Sequence, residues 1–285
     1  MCATCGCEGD GKTMLFNLQT RQSGEIASVA DTHAHEHVHA DGTWHSHPRD
    51  HAHDHDHYPV RPSGEIDIQA RVLAKNDALA AQNRAWFAGR EILALNLVSA
   101  PGAGKTTLLE RTIAAMVGDT PLFVIEGDQA TSNDGERIRA AGAPAVQVNT
   151  GSGCHLDAEM VRRGLAELRP PPGAVVLIEN VGNLVCPALF DLGEHAKVTI
   201  FSVTEGEDKP LKYPHMFRAS ELVLLNKIDL LPHLDFDVAT ARANVACVNP
   251  DSTIIEISAL IGEGLPDWLQ WIRARAAAAR EFAAP

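Results

Sequence analysis

The sequence predicts an α/β fold, a mostly parallel sheet flanked by helices. Three observations carry that reading. Seven short apolar runs, ILALNLVS, PLFVIEGD, PAVQVN, AVVLIEN, AKVTIFSV, ELVLLNK and TIIEIS, succeed one another between residues 92 and 258. Helix-length stretches such as TTLLERTIAAM, DAEMVRRGLAEL and FDVATARANVA separate most of them. A glycine-rich turn, SAPGAGKTT, joins the first run to the first of those helices. Strands apolar on both faces need cover on both faces, and crossover helices supply it while returning the chain to start the next parallel strand.

The regions follow in order. Residues 1–63 are rich in Cys, His, Asp, Gly and Thr and poor in aliphatic periodicity. They bury too little surface to offset the entropy of ordering, so they read as a metal-binding tail, largely disordered, ahead of a nucleotide-binding domain over 64–285. After VRPSGE, Val72 with Leu73, Leu79 with Ala80 and Trp86 with Phe87 recur every seven residues, which predicts an amphipathic helix lying on its own core. Leu265, Trp268, Leu269 and Ile272 predict a last helix packed on the sheet. Cys247, inside a helical stretch, reads as a buried apolar residue.

Composition narrows the function. A formal charge of -13 excludes a binder of nucleic-acid backbones, which needs clustered Lys and Arg. No apolar run reaches the roughly 18 residues of a membrane span, and MCATCGCEGD lacks the features of a secretory signal, so no membrane association is expected and the chain reads as cytoplasmic. In that compartment six cysteines are reduced, and thiol clusters read as metal ligands or reactive groups.

SAPGAGKTT, between a strand and a helix, predicts a P-loop NTPase. Its backbone N–H groups surround phosphates at a helix N-terminus, so Gly102, Ala103, Gly104, Lys105, Thr106 and Thr107 are the candidate phosphate ligands. Lys105 reaches the outer phosphates and Thr106 offers its hydroxyl to Mg2+. Ser99 stands where the general pattern has glycine, which requires backbone outside the left-handed region. Asp128 and Glu179 end later strands and are the candidate catalytic carboxylates, one binding Mg2+ directly and the other through water; which does which stays open. LLNKID then selects guanine: Asn226, Lys227 and Asp229 form the base loop, with Asp229 accepting from the guanine edge, and adenine would leave that carboxylate unpaired. Ser258 and Ala259 of EISAL add backbone contacts to the base. The predicted chemistry is in-line attack of water on GTP to yield GDP, with Lys105 and Mg2+ stabilising charge and Asp128 or Glu179 orienting the water. No arginine finger is identifiable, which predicts slow turnover.

Thiols and imidazoles form three further groups. Cys154 and His155 in GSGCHLDA, with Cys186 in ENVGNLVCPA, suit zinc or nickel, and a second subunit can complete their geometry. Cys186 lies seven residues after Glu179, so a loop held by the terminal phosphate would carry this sulfur with it. Cys2, Cys5 and Cys7 in CATCGC read as a loop wrapping a soft or borderline metal; a redox thiol pair would open a helix in a thioredoxin-like fold, which nothing here resembles. Ten of the 14 histidines, His33, His35, His37, His39, His45, His47, His51, His53, His55 and His57, alternate with acidic and other spacers. They hold several borderline ions without fixed stoichiometry and read as a store; a purification tag would be an unbroken terminal run.

CATCGC, the histidine-rich stretch, SAPGAGKTT, EGDQATSNDGERI, GSGCHLDA, ENVGNLVCP and NKIDLL together resemble the HypB family, GTPases that help insert nickel into [NiFe]-hydrogenase. The resemblance implies a SIMIBI-class fold that dimerises, a tight Ni2+ site at Cys2, Cys5 and Cys7, and an inter-subunit Ni2+ or Zn2+ site at Cys154, His155 and Cys186. It implies as partners a HypA-type metallochaperone and the hydrogenase large-subunit precursor. The urease-accessory GTPase is a related alternative, against which CATCGC and the pairing of CHLDA with NLVCP argue. A metal store with a regulatory nucleotide domain is the alternative from another class.

Overall fold

The computed structural model describes residues 14–20, 22–25, 35–38, 44–47, 63–128, 133–151 and 153–281. In chain order the elements are strands β1 (Met14–Asn17), β2 (Gln22–Glu25), β3 (His35–Val38) and β4 (Trp44–His47), then helix α1 (Ser63–Ala88) and β5 (Leu93–Ser99). There follow α2 (Lys105–Met116), β6 (Leu122–Asp128), α3 (Asn133–Ala141), β7 (Ala145–Asn149), α4 (Ala158–Leu168), β8 (Val175–Glu179), the short α5 (Cys186–Leu189) and β9 (Ala196–Ser202). The chain continues through α6 (Lys209–Lys212), α7 (Pro214–Ala219), β10 (Leu222–Asn226), α8 (Val238–Val248), β11 (Thr253–Ile257) and α9 (Leu265–Glu281).

Nine strands form one sheet in the order β11-β10-β9-β5-β8-β6-β7-β1-β2. From β11 to β7 every pairing is parallel. All seven apolar runs become strands of that parallel part, and alternation assigns their side chains to two layers. Leu93, Leu95 and Leu97 of β5 point to the layer that holds Leu108, Leu109 and Ile113 of α2 and Trp268 and Ile272 of α9. Ala94 of β5 and Val176 and Ile178 of β8 point to the other, with Phe87 of α1 and Val161 and Leu165 of α4. A third cluster joins Phe201, Val223 and Leu225 to Met216 and Phe217 of α7 and to Ala241 and Val245 of α8. Each fully buried aliphatic or aromatic side chain contributes about 1.5–3 kcal/mol, so both layers are needed to hold the sheet.

Three features depart from the sequence reading. The buried stripe of α1 is Asn76, Ala80, Asn83 and Phe87, whereas Val72 is half exposed. Cys247 is exposed, because Ala241 and Val245 set the buried face of α8 and a residue two positions on lies away from it. Within the stretch read as a tail, β1 pairs antiparallel with β7 and β2 pairs with β1, extending the sheet beyond its parallel part. Leu18, just after β1, is buried in the core beside Ile138 and Ala143. The β3–β4 hairpin sets His35 opposite His47 and His37 opposite His45. Among the described residues no helix is long and apolar enough to cross a membrane.

Candidate functional site

The phosphate loop leaves the carboxyl end of β5, which lies between β8 and β9 near the middle of the sheet, where open α/β sheets bind ligands. Gly104 has φ 100°, left-handed backbone that opens α2, and a Cβ there would meet Asn226 Nδ2 at 2.5 Å. Gly102 is also left-handed, with φ 75°. Ser99 is regular β-strand backbone and fully buried, consistent with the requirement set for it. Its hydroxyl accepts from Lys105 Nζ at 2.7 Å and donates to the carbonyl of Ala100 at 2.6 Å. Burial pulls the Lys105 ammonium below the ordinary lysine value, and the charge of Glu179 works against that pull.

Thr106 Oγ1 donates to Glu179 Oε1 at 2.9 Å. Burial pushes the Glu179 carboxyl up to about 7, while the Lys105 charge and the Thr106 hydroxyl hold it down. Glu179 Oε2 is buried with no hydrogen-bond partner. Asp128 ends β6. Glu126, two residues earlier, stands opposite Glu179 in the β6–β8 register, is buried, and acts electrostatically on Lys105. The sequence reading passed over it, although IEGD carries it in plain view. Arg137 of α3 binds Glu110 through two nitrogens at 2.7 and 3.0 Å and approaches Thr107 Oγ1 at 3.4 Å.

NKID is fastened to the phosphate loop. Asn226 Nδ2 donates to the Ala103 carbonyl at 2.8 Å, and its Oδ1 accepts from the backbone of Ala259 at 3.0 Å. Lys227, with φ 66°, donates to the Gly102 carbonyl at 2.8 Å. Ser258 Oγ donates to Asp229 Oδ1. One asparagine therefore ties together the three loops that sequence reasoning named separately.

Cys154, His155 and Cys186 also converge. Their ligand atoms all lie within 4.8 Å of one another, with the two sulfurs 2.9 Å apart and Cys154 Sγ 3.6 Å from His155 Nδ1. A tetrahedral ion with bonds of about 2.0–2.3 Å sets ligand atoms about 3.3–3.8 Å apart, so small side-chain rotations suffice. Burial holds the His155 imidazole down to about 4, which keeps it neutral and able to ligate. The Phe190 ring packs on it at 3.8 Å. Asp157 caps α4 by accepting from the Met160 backbone at 2.7 Å, which fixes the chain leaving the cluster.

The nucleotide cradle and this cluster share a loop. Asn180, next to Glu179, is buried; its Oδ1 accepts from the backbone of Leu156 at 3.1 Å and of Val181 at 3.0 Å, and its Nδ2 donates to Asn96 at 3.2 Å. A Cβ on Gly182 would lie 3.2 Å from three atoms of Pro101 in the phosphate loop. Asn183 reaches the Cys154 carbonyl at 3.5 Å, and Cys186 follows in α5. Asn76 of α1 accepts from the Ala158 backbone at 2.9 Å and donates to the Asp191 carbonyl at 2.7 Å, joining the chains that leave His155 and Phe190. Sequence reasoning missed these asparagines because a polar residue in an apolar stripe carries no sign of its partner.

A family model described as the CobW/HypB/UreG nucleotide-binding domain matches residues 93–256. The hydrogenase maturation factor HypB of Azotobacter chroococcum mcd 1 is 60% identical over 207 residues, 73% of this chain and 68% of that protein. The chain belongs to the HypB family. HypB of Archaeoglobus fulgidus superposes with a TM-score of 0.67 at 38% identity, covering 71% of this chain and 99% of that one. HypB from Helicobacter pylori, solved in complex with nickel, gives 0.67 at 34% identity, covering 72% and 96%. The resemblance to a SIMIBI-class P-loop fold stands with these likenesses. The family-model match over residues 93–256 takes in the phosphate loop, both clustered cysteines and NKID. Cys2, Cys5, Cys7, His33, His39, His51, His53, His55 and His57 lie outside the described residues, and only the backbone of His35, His37, His45 and His47 is described.

Proposed function

We propose that this HypB-family chain hydrolyses GTP to GDP and uses the cycle to time the release of nickel, supporting its insertion into a [NiFe]-hydrogenase precursor. The observation that carries the reading is the shared loop: from Glu179, hydrogen-bonded to Thr106, through Gly182 against Pro101, to Cys186. A change at the phosphates has a short covalent path to a thiol beside the His155 imidazole. The nickel-bound relative supports the choice of cargo, and zinc suits the same ligands.

In this reading Lys105 leaves Ser99 for the outer phosphates and Asp229 selects guanine. The Thr106 hydroxyl and the Glu179 carboxylate, with its orphaned Oε2, are hard oxygen donors that fit Mg2+. Bound there, Mg2+ supplies charge stabilisation to the phosphates. Asp128 and Glu179 are the candidates to orient water. Exposed Val185 and Leu189 flank Cys186, so a homodimer closing over the cluster would cover them. The remaining parts are a cytoplasmic setting, partners of the HypA and hydrogenase-precursor type, a thiol site at Cys2, Cys5 and Cys7, and nickel storage by the histidines.

Calorimetric titration of nickel with GDP and with a non-hydrolysable GTP analogue tests it. Affinity at Cys154, His155 and Cys186 is expected to differ between the two, and equal affinities refute the coupling. A Lys105→Ala chain that hydrolyses GTP at the unaltered rate refutes the catalytic assignment.

A further inference from the structure

Sequence reasoning identifies no arginine for the phosphates, yet the packing of α3 on α2 brings one to their edge. Two pairs of residues three apart fix how α3 is turned. Gly135 and Ile138 face inward: Ile138 is fully buried in the layer that holds Leu108 and Leu109, and a Cβ on Gly135 would lie 2.8 Å from Leu18 Cδ1. Asp134 and Arg137 fall on the neighbouring face, where Arg137 meets α2.

On α2 the receiving residues are Thr107 and Glu110, also three apart and following directly on Lys105 and Thr106. Glu110 Oε1 accepts from Arg137 Nε at 3.0 Å and Oε2 from Nη2 at 2.7 Å, while Asp134 Oδ1 accepts from Nη1 at 3.1 Å. Thr107 Oγ1 lies 3.4 Å from the same Nη2. All three guanidinium nitrogens are thus engaged against the start of α2, beside one of the candidate phosphate ligands.

Stability gives little reason for this arrangement. The Arg137 side chain is 46% exposed, and an ion pair in water contributes little to folding. Its charge nevertheless reaches the phosphate cradle. Against the burial that raises the Glu179 carboxyl, the Arg137 charge works to hold it down; against the burial that lowers Lys105, the Asp134 charge works to hold it up. The fork that grips the Glu110 carboxylate is also the geometry that grips two phosphoryl oxygens, and a guanidinium keeps its charge at every working pH. A triphosphate carries more charge than one carboxylate and competes with it for that fork.

We infer that Arg137 is a catalytic residue of GTP hydrolysis, an arginine supplied in cis whose guanidinium leaves Glu110 to donate to the oxygens of the γ-phosphoryl group during transfer. The inference rests on the reading of this chain as a GTPase. In the step it serves, the water oxygen bonds to the γ-phosphorus while the bond to the β–γ bridging oxygen breaks. That electron pair leaves with GDP, and the protons of the water pass to the phosphate product and to solvent. Arg137 exchanges no proton; it stabilises the charge spread over the transferring oxygens. Glu110 competes for the same fork, so weakening its grip does not slow the reaction.

The test measures single-turnover GTP hydrolysis and GDP affinity of the full-length chain with Mg2+. Arg137→Ala should lower the rate about 100-fold or more with GDP affinity unchanged, because the contact is to the phosphoryl group that GDP lacks. Arg137→Lys keeps the charge without the fork and should recover only part of the rate, and guanidinium added to the Arg137→Ala chain should raise it. Glu110→Gln should hydrolyse GTP at least as fast as the unaltered chain. Equal losses in Arg137→Ala and Glu110→Gln would mark a purely structural ion pair and overturn the inference, as would an unaltered rate in Arg137→Ala. Either result leaves the GTPase reading standing where the unaltered chain hydrolyses GTP and Lys105→Ala does not. An unaltered chain with no GTP turnover sinks both.

Discussion

Replacing Asn180 by alanine tests the link between nucleotide and thiols at its narrowest point. The carboxamide accepts from two buried backbone donors, Leu156 N at 3.1 Å and Val181 N at 3.0 Å. Each orphaned donor costs about 1–3 kcal/mol, so Asn180→Ala should lose about 2–6 kcal/mol, read as a lower urea midpoint with the slope preserved. Leu156 follows His155 directly, so the same change loosens the segment that carries two of the three proposed metal ligands. Coupling between two sites is ordinarily worth about 1–3 kcal/mol, a ratio of roughly 5–150 in affinity. That ratio, measured by calorimetry as nickel affinity with GDP against a non-hydrolysable GTP analogue, should fall toward one in Asn180→Ala. Asn180→Asp keeps the acceptor for both N–H groups but loses the donor to Asn96 and buries a carboxylate, so it should retain most of the ratio at a further cost in stability. Were the unaltered ratio to survive in Asn180→Ala while stability dropped as expected, the amide would be structural and the linkage would run elsewhere.

Three further outcomes follow from the same geometry. Asp229→Asn exchanges an acceptor for a donor at the proposed guanine contact; with charged hydrogen bonds worth about 1.5–3 kcal/mol each, GTP affinity should fall 100-fold or more, and unchanged GTP binding would reject the base assignment. Without metal or nucleotide, two buried groups give opposing pH dependences. Glu179, raised to about 7 from 4.5, keeps its proton longer when folded, so its contribution falls as pH rises through that window; His155, lowered to about 4 from 6.5, contributes stability that is lost as pH falls through its own. Each is worth about 3 kcal/mol, so Glu179→Gln should unmask stability that climbs between pH 4 and 6.5, and a flat profile in that variant would refute the opposition. Deleting residues 33–57 should reduce the number of nickel ions bound and leave GTP turnover intact; complete loss of hydrogenase maturation in low nickel would show that the stretch is more than a store.

The parallel sheet was legible because its strands announce themselves: runs such as VVLIE and LVLLN are apolar at every position, which only a sheet covered on both faces accommodates. The phosphate loop was legible because left-handed turns need glycine, and Gly102 and Gly104 stand where the backbone has φ 75° and 100°. Cys154, His155 and Cys186 could be named as a group from residue type and from the place of Cys186 after Glu179, since their chemistry is local to each side chain. Those signals survive in one dimension because each depends on a residue and its near neighbours.

Other features required the folded chain. MLFN contains nothing that distinguishes an edge strand from a loop, because what makes it a strand is the open edge of β7, 128 positions or more further on. Asn76, Asn83 and Asn180 look like surface residues until distant carbonyls and N–H groups come to meet them. Cys247 looked buried by type, yet the helical period around Ala241 and Val245 turned it outward. A sequence states what each side chain can do; which of those capacities are used depends on contacts between residues far apart in the chain, and burial makes those contacts strong enough to matter.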